Sequence, residues 1–263
     1  MPMRIAIVYN KTTSKYKEVL NSLQNALKPM NCETDTFDTD ELRQGYDFVF
    51  VIGGDGTLLK TARFYSWSET PVMGINTGRL GFLSQSNSDD ISRITEAVIN
   101  NKYKVEERIM LQSDDKIALN DIVIKGASCS RTLKFYLKIN DKFVCDYIAD
   151  GLIVSTPTGS TAYGLSAGGP VLAPQLNALV IVPICPHTLT ARPIVIPASE
   201  KITVTSSEGT MAIFTDGIDT GISVSSLDIT ASDKKAKLAF LNNEDFYLVL
   251  RNKLNWGVSP TNK

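Results

Sequence analysis

Two glycine-rich segments hold the residues of this chain best suited to chemistry. The first, Gly53-Gly54-Asp55-Gly56-Thr57, follows an apolar run, Phe48 to Ile52, and precedes a helical pattern. Glycines at such a junction let backbone N–H groups approach phosphate oxygens, and the helix N-terminus adds partial positive charge. An aspartate there repels phosphate, so Asp55 makes chemical sense as a proton acceptor for a hydroxyl or as a holder of Mg²⁺. The plainer alternative is a tight turn with Asp55 capping the helix. The segment is neither the dinucleotide fingerprint nor a Walker A loop, which needs Gly-Lys-Ser/Thr. The second segment runs from Asp150 through Ser155-Thr156-Pro157-Thr158-Gly159-Ser160-Thr161-Ala162-Tyr163 and Ser166 to Pro170. Its hydroxyls and glycines offer donors to a polar ligand, and Tyr163 can stack on or bond to a ring. Its plainer alternative is a loop whose Ser and Thr residues satisfy their own backbone. His187 is the single histidine, so proton transfer falls to a carboxylate unless His187 is itself the base. Its place between Pro186 and Thr188 reads as a turn.

The elements that must position these segments change character along the chain. Ile5 to Tyr9, Phe48 to Ile52 and Val72 to Ile75 are apolar runs expected of strands buried on both faces. Between them lie helical patterns: Val19, Leu20, Leu23 and Leu27 behind a capping Ser14, ending near Pro29, and then Leu58 to Tyr65. A further helix is expected over Asp89 to Asn100. Strands separated by helices predict a parallel α/β sheet. After Tyr103 the pattern turns to β. Leu133, Phe135, Leu137 and Ile139 alternate with polar residues, and short strands are expected at 122–124, 152–154, 179–182, 194–196, 202–204 and 211–214. Together they suggest a sandwich-like second domain. Phe246, Leu250 and Leu254 carry a final helical pattern in the 244–255 stretch. The expected division is an α/β domain over 1–103, completed by a C-terminal segment of about 242–263, and an all-β domain over 104–241.

Composition narrows the partners. In 263 residues, 43% are hydrophobic and 21% charged, with 27 Lys plus Arg against 28 Asp plus Glu. That balance suits a chain with a buried core and supplies no basic excess for nucleic acid. The longest apolar stretch, Ala178 to Pro186, is about nine residues against the roughly 20 of a membrane helix. No signal-peptide core is seen, so no membrane is expected and the protein reads as cytoplasmic. Cys32, Cys129, Cys145 and Cys185 are widely spaced and are expected to be core thiols rather than a zinc site or disulfide framework. Trp67 and Trp256 read as packing residues.

The chain resembles the NAD kinase family. The resemblance rests on Gly53 to Thr57, on Asn120-Asp121 entering a strand, on the Asp150 to Pro170 block, and on Asn76 to Leu83 and Pro186 to Pro193. These blocks span most of the chain; the first loop alone is shared with diacylglycerol and sphingosine kinases and phosphofructokinases. The resemblance implies a phosphofructokinase- and diacylglycerol-kinase-like α/β domain followed by a β-sandwich-like dinucleotide-binding domain. It implies phosphorylation of the adenosine-ribose 2′-hydroxyl of NAD to NADP, with ATP and a divalent metal such as Mg²⁺; some members also accept inorganic polyphosphate. It further implies a homodimer or homotetramer. Carried over by position, Asp55 is the proton acceptor and Gly56 lies beside the dinucleotide. Asn120 and Asp121 hold the adenosine ribose and its neighbouring groups. Thr161, Ala162, Tyr163, Gly164, Leu165 and Ser166 line the dinucleotide site, and Asp150 acts at or across a subunit contact. Phe82 and Thr158 belong to the binding blocks, and Lys60 and Arg131 are phosphate-contact candidates. Many relatives have Asp-Gly-Gln where this chain has Asp216-Gly217-Ile218, which puts that glutamine's contact in doubt. Two other readings start from the same residues. A lipid or sugar kinase would share the first loop but not the Asp150 to Pro170 block. A silent nucleotide sensor would gain little from Asp55 beside phosphates.

Overall fold

The structure is a computed structural model that describes residues 2–77, 81–83, 86–127, 132–206, 209–241 and 246–257. The chain divides into two compact units, 1–107 with 236–263, and 108–235.

In the first unit, β1 (Met3–Tyr9), α1 (Tyr16–Leu27), β2 (Cys32–Asp38), β3 (Phe48–Ile52), α2 (Asp55–Tyr65), β4 (Val72–Asn76), β5 (Ser86–Asn87) and α3 (Ile91–Ile99) follow in order. β2, β1, β3 and β4 lie side by side and all parallel. Ile5, Ile7, Phe48, Phe50, Ile52 and Met73 pack with Val19, Leu23, Ile94 and Val98 of α1 and α3. The alternate residues Ala6, Val8, Val49 and Val51 are equally buried and point to the other face, where α2, which connects β3 to β4, packs on both strands. That is why these strands read as unbroken apolar runs. Strand order reverses between β1 and β3: the chain steps one way to β2 and the other way to β4. Right-handed crossovers then place α1 and α2 on opposite faces. The carboxyl ends of β1 and β3 form the topological switch point at which open α/β sheets bind ligands.

β6 (Lys104–Ser113) carries the chain into the second unit. There β7 (Lys116–Ala118), β8 (Asp121–Gly126), β9 (Leu133–Ile139), β10 (Lys142–Ala149), β11 (Gly151–Ser155), the single turn α4 (Tyr163–Ser166), β12 (Ala178–Ile184), β13 (Ile194–Pro197), β14 (Ile202–Ser206), β15 (Met211–Thr215) and β16 (Ile218–Val224) follow. β17 (Ser226–Phe240) then leads to α5 (Phe246–Leu254). One antiparallel sheet contains β10, β9, β14 and β17; a second runs β13-β12-β11-β8-β15-β16. Phe135, Leu137, Val204 and Ile229 meet Ile122, Ile124, Leu152, Val154, Leu179 and Ile213 between them. The far face of the second sheet has its own cluster, Val123, Ile153, Leu172, Val180 and Val182. β8 and β11 are thus covered on both sides, whereas β9 is buried only at alternate positions. The end of β17 belongs to the first unit, where Leu238 lies beside Val72 of β4, so the return begins at Ala236.

Several local expectations change. Ser14 does not cap α1; Lys15, with φ +63°, stands at that position and no side chain bonds the helix end. The 89–100 helix opens as a turn of 3₁₀ helix, and α3 proper starts at Ile91. In α5 the buried residues are Val249 and Leu250, and Leu254 is exposed. β2, β10 and β17 are strands whose polar sequences gave no apolar run. The thiols are not core filler: Cys32 and Cys145 are half-buried and Cys185 is exposed, while Cys129 lies outside the described residues. Trp67 and Trp256 are both more than half exposed. No described helix is long and apolar enough to cross a membrane.

Candidate active site: a glycine-rich loop and a polar cavity

The Gly53 to Thr57 loop leaves β3 at the switch point. Gly54, with extended backbone, takes the N-cap position of α2 without any side-chain cap, and Asp55 is the first helical residue. Asp55 is therefore not a cap. Its Oδ2 accepts the Phe82 N–H at 2.8 Å and its Oδ1 the Leu83 N–H at 3.2 Å. These two amides aim the carboxylate. Its charge also suits the positive end of the helix. Phe82 thus contributes a backbone donor, and its ring lies under the Lys253 ammonium at 5.6 Å. Gly56 is exposed beside Asp55. Lys60 is one helical turn further on, bound to Asp40 at 2.6 Å. Lys11, after β1, lies 3.6 Å from Asp38.

In the second unit a cavity of about 420 Å³ is lined by Asn120, Asp121, Val123, Lys125, Ala162, Tyr163, Phe214, Asp216 and Gly217. The volume is within the range of small-molecule sites. Asp121, Val123 and Lys125 share one face of β8 by the two-residue strand period, and Phe214 of β15 stands opposite Val123. The polar rim is held by a dense backbone clamp. Asp216 accepts N–H bonds from Leu119 at 3.0 Å, Asn120 at 2.7 Å and Asp121 at 3.3 Å. Its own N–H returns to the Asp121 carbonyl at 3.0 Å. This is possible because Asp216 and Gly217 turn tightly between β15 and β16, with φ +49° and +78°. From the other side, Thr156 N–H reaches the Asn120 carbonyl at 2.9 Å. The Ser155 hydroxyl reaches the same carbonyl, and the Thr156 hydroxyl reaches that of Leu119 at 2.6 Å. Gly159 lies so close that a Cβ there would sit 2.1 Å from the Asn120 oxygen.

Two electrostatic features result. Asn120 Oδ1 is buried with no hydrogen-bond partner among the described residues, a costly state unless a ligand donor completes it. Burial first, and the Asp216 carboxylate second, push the Asp121 carboxyl up to about 7.

The Asp150 to Pro170 block divides into two roles. Ser155, Thr156 and Ser160 spend their hydroxyls on backbone atoms, and the Thr161 hydroxyl turns to the Thr158 carbonyl. Thr158 and Gly164 are buried. Ala162 and Tyr163 line the cavity, whereas Leu165 and Ser166 continue α4 behind them. Asp150 is exposed between β10 and β11, and Arg131 is outside the described residues. His187 is exposed, its N–H bonded to the Ile148 carbonyl at 2.8 Å, as a turn residue should be. Ile218 is about half exposed at the head of β16. Val123, Lys125, Phe214 and Gly217 are not marked as ligand contacts by the sequence, and Asp216 is left there between facing the site and shaping a turn. The two-residue period from Asp121 was the signal for the first two; nothing local marked Phe214.

A doubly wound α/β unit with a glycine-rich loop at its switch point, in one chain with a β-sandwich unit holding a polar cavity, defines a nucleotide-binding protein. Residues 5–103 match the ATP-NAD kinase N-terminal domain and residues 119–241 the ATP-NAD kinase C-terminal domain. The chain is 38% identical to an NAD kinase of Teredinibacter turnerae, covering 93% of this chain and 88% of that one. It is 41% identical to an NAD kinase of Pseudomonas putida, covering 80% and 76%. Among solved structures, an Archaeoglobus fulgidus NAD kinase in complex with ATP aligns with a TM-score of 0.78 and 29% identity, covering 96% of this chain and 99% of that one. Yeast NADH kinase complexed with NADH aligns at 0.86 and 22% identity, over 98% and 89%, a likeness of fold. The chain belongs to the NAD kinase family.

Proposed function

We propose that this protein transfers the terminal phosphoryl group of ATP to the 2′-hydroxyl of the adenosine ribose of NAD, giving NADP. The observation that carries this reading is the buried Asn120 Oδ1, without a partner among the described residues, on a residue that lines the cavity with Asp121, Ala162 and Asp216. A nucleoside brings the amino and hydroxyl donors that such an acceptor lacks. The relatives named for NAD kinase activity support the same reading.

In the proposed step the ribose O2′ forms a bond to the γ-phosphorus while the bond from that phosphorus to the β,γ-bridging oxygen breaks. ADP leaves, and the hydroxyl proton passes to the Asp55 carboxylate. A ribose hydroxyl is far too weak an acid to ionise alone near neutrality, and a positioned base typically contributes about 10²–10⁴-fold. Asp121 and Asn120 hold the adenosine side; alignment and charge stabilisation of the phosphoryl group supply the remainder. The divalent cation is read as part of the ATP substrate. Among the described residues no group of three or more His, Cys, Asp or Glu side chains is placed to hold a metal. Lys60 and Gly56 are proposed near the phosphates, with Thr161 and Ser166 on the dinucleotide side. We place the protein in the cytoplasm as a homodimer or homotetramer, with Asp150 near a subunit contact.

The test is incubation with ATP, Mg²⁺ and NAD, with NADP detected by an NADP-specific dehydrogenase. Formation of NADP is the expected result. Dinucleotide binding without turnover, or ATP consumption only with a lipid or sugar, would overturn it.

A further inference from the structure

Lys125 projects into the cavity of the second unit, and among the described residues lining that cavity it carries the one positive charge. Two carboxyl groups, Asp121 and Asp216, share the cavity, yet Lys125 makes no ion pair or hydrogen bond with any described residue. Its ammonium instead lies 5.4 Å from the ring centre of Tyr163 and 5.7 Å from that of Phe214. Its stem crosses Gly151, its partner across the β8–β11 ladder, where a Cβ would come within 3.1 Å of the lysine Cγ. The side chain is thereby steered from three sides: by the bare glycine backbone below and by a ring on either hand.

A lysine on an open surface rotates freely and belongs to solvent. This one is half-buried and lines the cavity without an ion pair to any described residue. Aromatic faces stabilise a cation only modestly and leave its three N–H donors unused. The group that uses them best is a phosphoryl oxygen, because charge-assisted hydrogen bonds are about twice as strong as neutral ones.

We propose that Lys125 is a specificity-determining residue that reads a phosphoryl group of the bound nucleotide. This rests on the reading of the cavity as a nucleotide site. The phosphoryl group has two possible sources, the 5′ side of the adenosine and the 2′ ester formed by the reaction. A contact to the first favours substrate and product alike. A contact to the second tightens the product alone and makes Lys125 a determinant of product retention.

The test compares the wild-type protein with Lys125→Met and Lys125→Arg by calorimetry, using adenosine, adenosine 5′-monophosphate, adenosine 2′-monophosphate and NAD. Methionine keeps the stem over Gly151 and packs well against both rings, so the fold is retained; a thermal melt checks this. The expected result is a loss of about tenfold or more for at least one monophosphate in Lys125→Met. Adenosine affinity should stay unchanged, and arginine should restore most of the loss. The monophosphate that suffers identifies the source. The difference should shrink as salt is raised, since screening weakens a partly exposed contact. If Lys125→Met binds both monophosphates as the wild type does, or loses adenosine to the same degree, the proposal is overturned while the cavity reading stands. If the wild-type protein binds neither NAD nor any of the adenosine compounds, the cavity reading itself fails and the proposal with it.

Discussion

Asp55 and Asp216 each accept more than one backbone N–H bond, and the consequences differ. Asp55 receives N–H bonds from Phe82 and Leu83, which fix its direction. Asp55→Asn keeps the shape and one amide acceptor but removes the basic oxygen. Turnover should fall at least about 10²-fold, with the melting temperature near that of the wild type; near-normal NADP formation by a folded variant would refute the assignment. Asn120→Ala removes an oxygen that has no partner among the described residues, so it should weaken NAD use far more than thermal stability. Equal damage to both would mark Asn120 as structural. Asp121 supplies a pH test. Its folded value near 7 lies above the roughly 4 of an unfolded aspartate. The folded chain therefore binds the extra proton between those values. This contribution is fully present below the unfolded value and is lost as pH rises through 7, by at most about 4 kcal/mol. The ligand-free melting temperature should drop between about pH 4 and 7 and level off above that, and Asp121→Asn should flatten that drop. Burial sets most of the effect and the Asp216 carboxylate adds to it; Lys125 is the other charged group lining the cavity.

At the scale of elements, the cavity wall depends on two segments far apart in sequence. The turn from β15 to β16 brings Asp216 to the amides at 119–121, and the segment after β11 brings Thr156 and Gly159 to the same backbone. Gly159→Ala would press a methyl group against the Asn120 carbonyl, and overpacking of this kind typically costs about 1–3 kcal/mol. A lower melting temperature together with a raised KM for NAD is expected; a change in stability alone would separate the clamp from the site. The hydroxyl-rich block was legible as a block, but its function was not. Most of its hydroxyls bind backbone, and its contribution to the cavity comes from Ala162 and Tyr163. A dense run of Ser and Thr has the same composition whether it faces a ligand or its own chain, and only the fold distinguishes the two.

At the scale of the whole chain, the first unit is discontinuous. The chain leaves it at Glu107 and returns at Ala236, when the end of β17 sets Leu238 beside Val72 and Lys237 bonds Glu69 at 2.8 Å. A truncation ending at Lys235 should therefore strip a strand from the first unit while leaving the second unit's sequence complete. Limited proteolysis should cut within 1–107 before 108–235, and NADP formation should vanish. Equal resistance in both units would contradict this dependence.

The sequence by itself determined the alternation of buried strands and helices in the first hundred residues, because strands covered on both faces must be apolar throughout. It also determined the β character of the middle and the two segments that carry the chemistry. The tertiary structure alone decided which carboxylates are held and by what. Asp216 meets residues 119–121 across almost a hundred positions of chain, and Lys125 becomes a cavity lysine only because Gly151, Tyr163 and Phe214 surround it. Periodicity reports which face of an element is buried. It carries no information about which distant backbone amides, rings or carbonyls will be waiting there, since those are set by strand pairing and by turns.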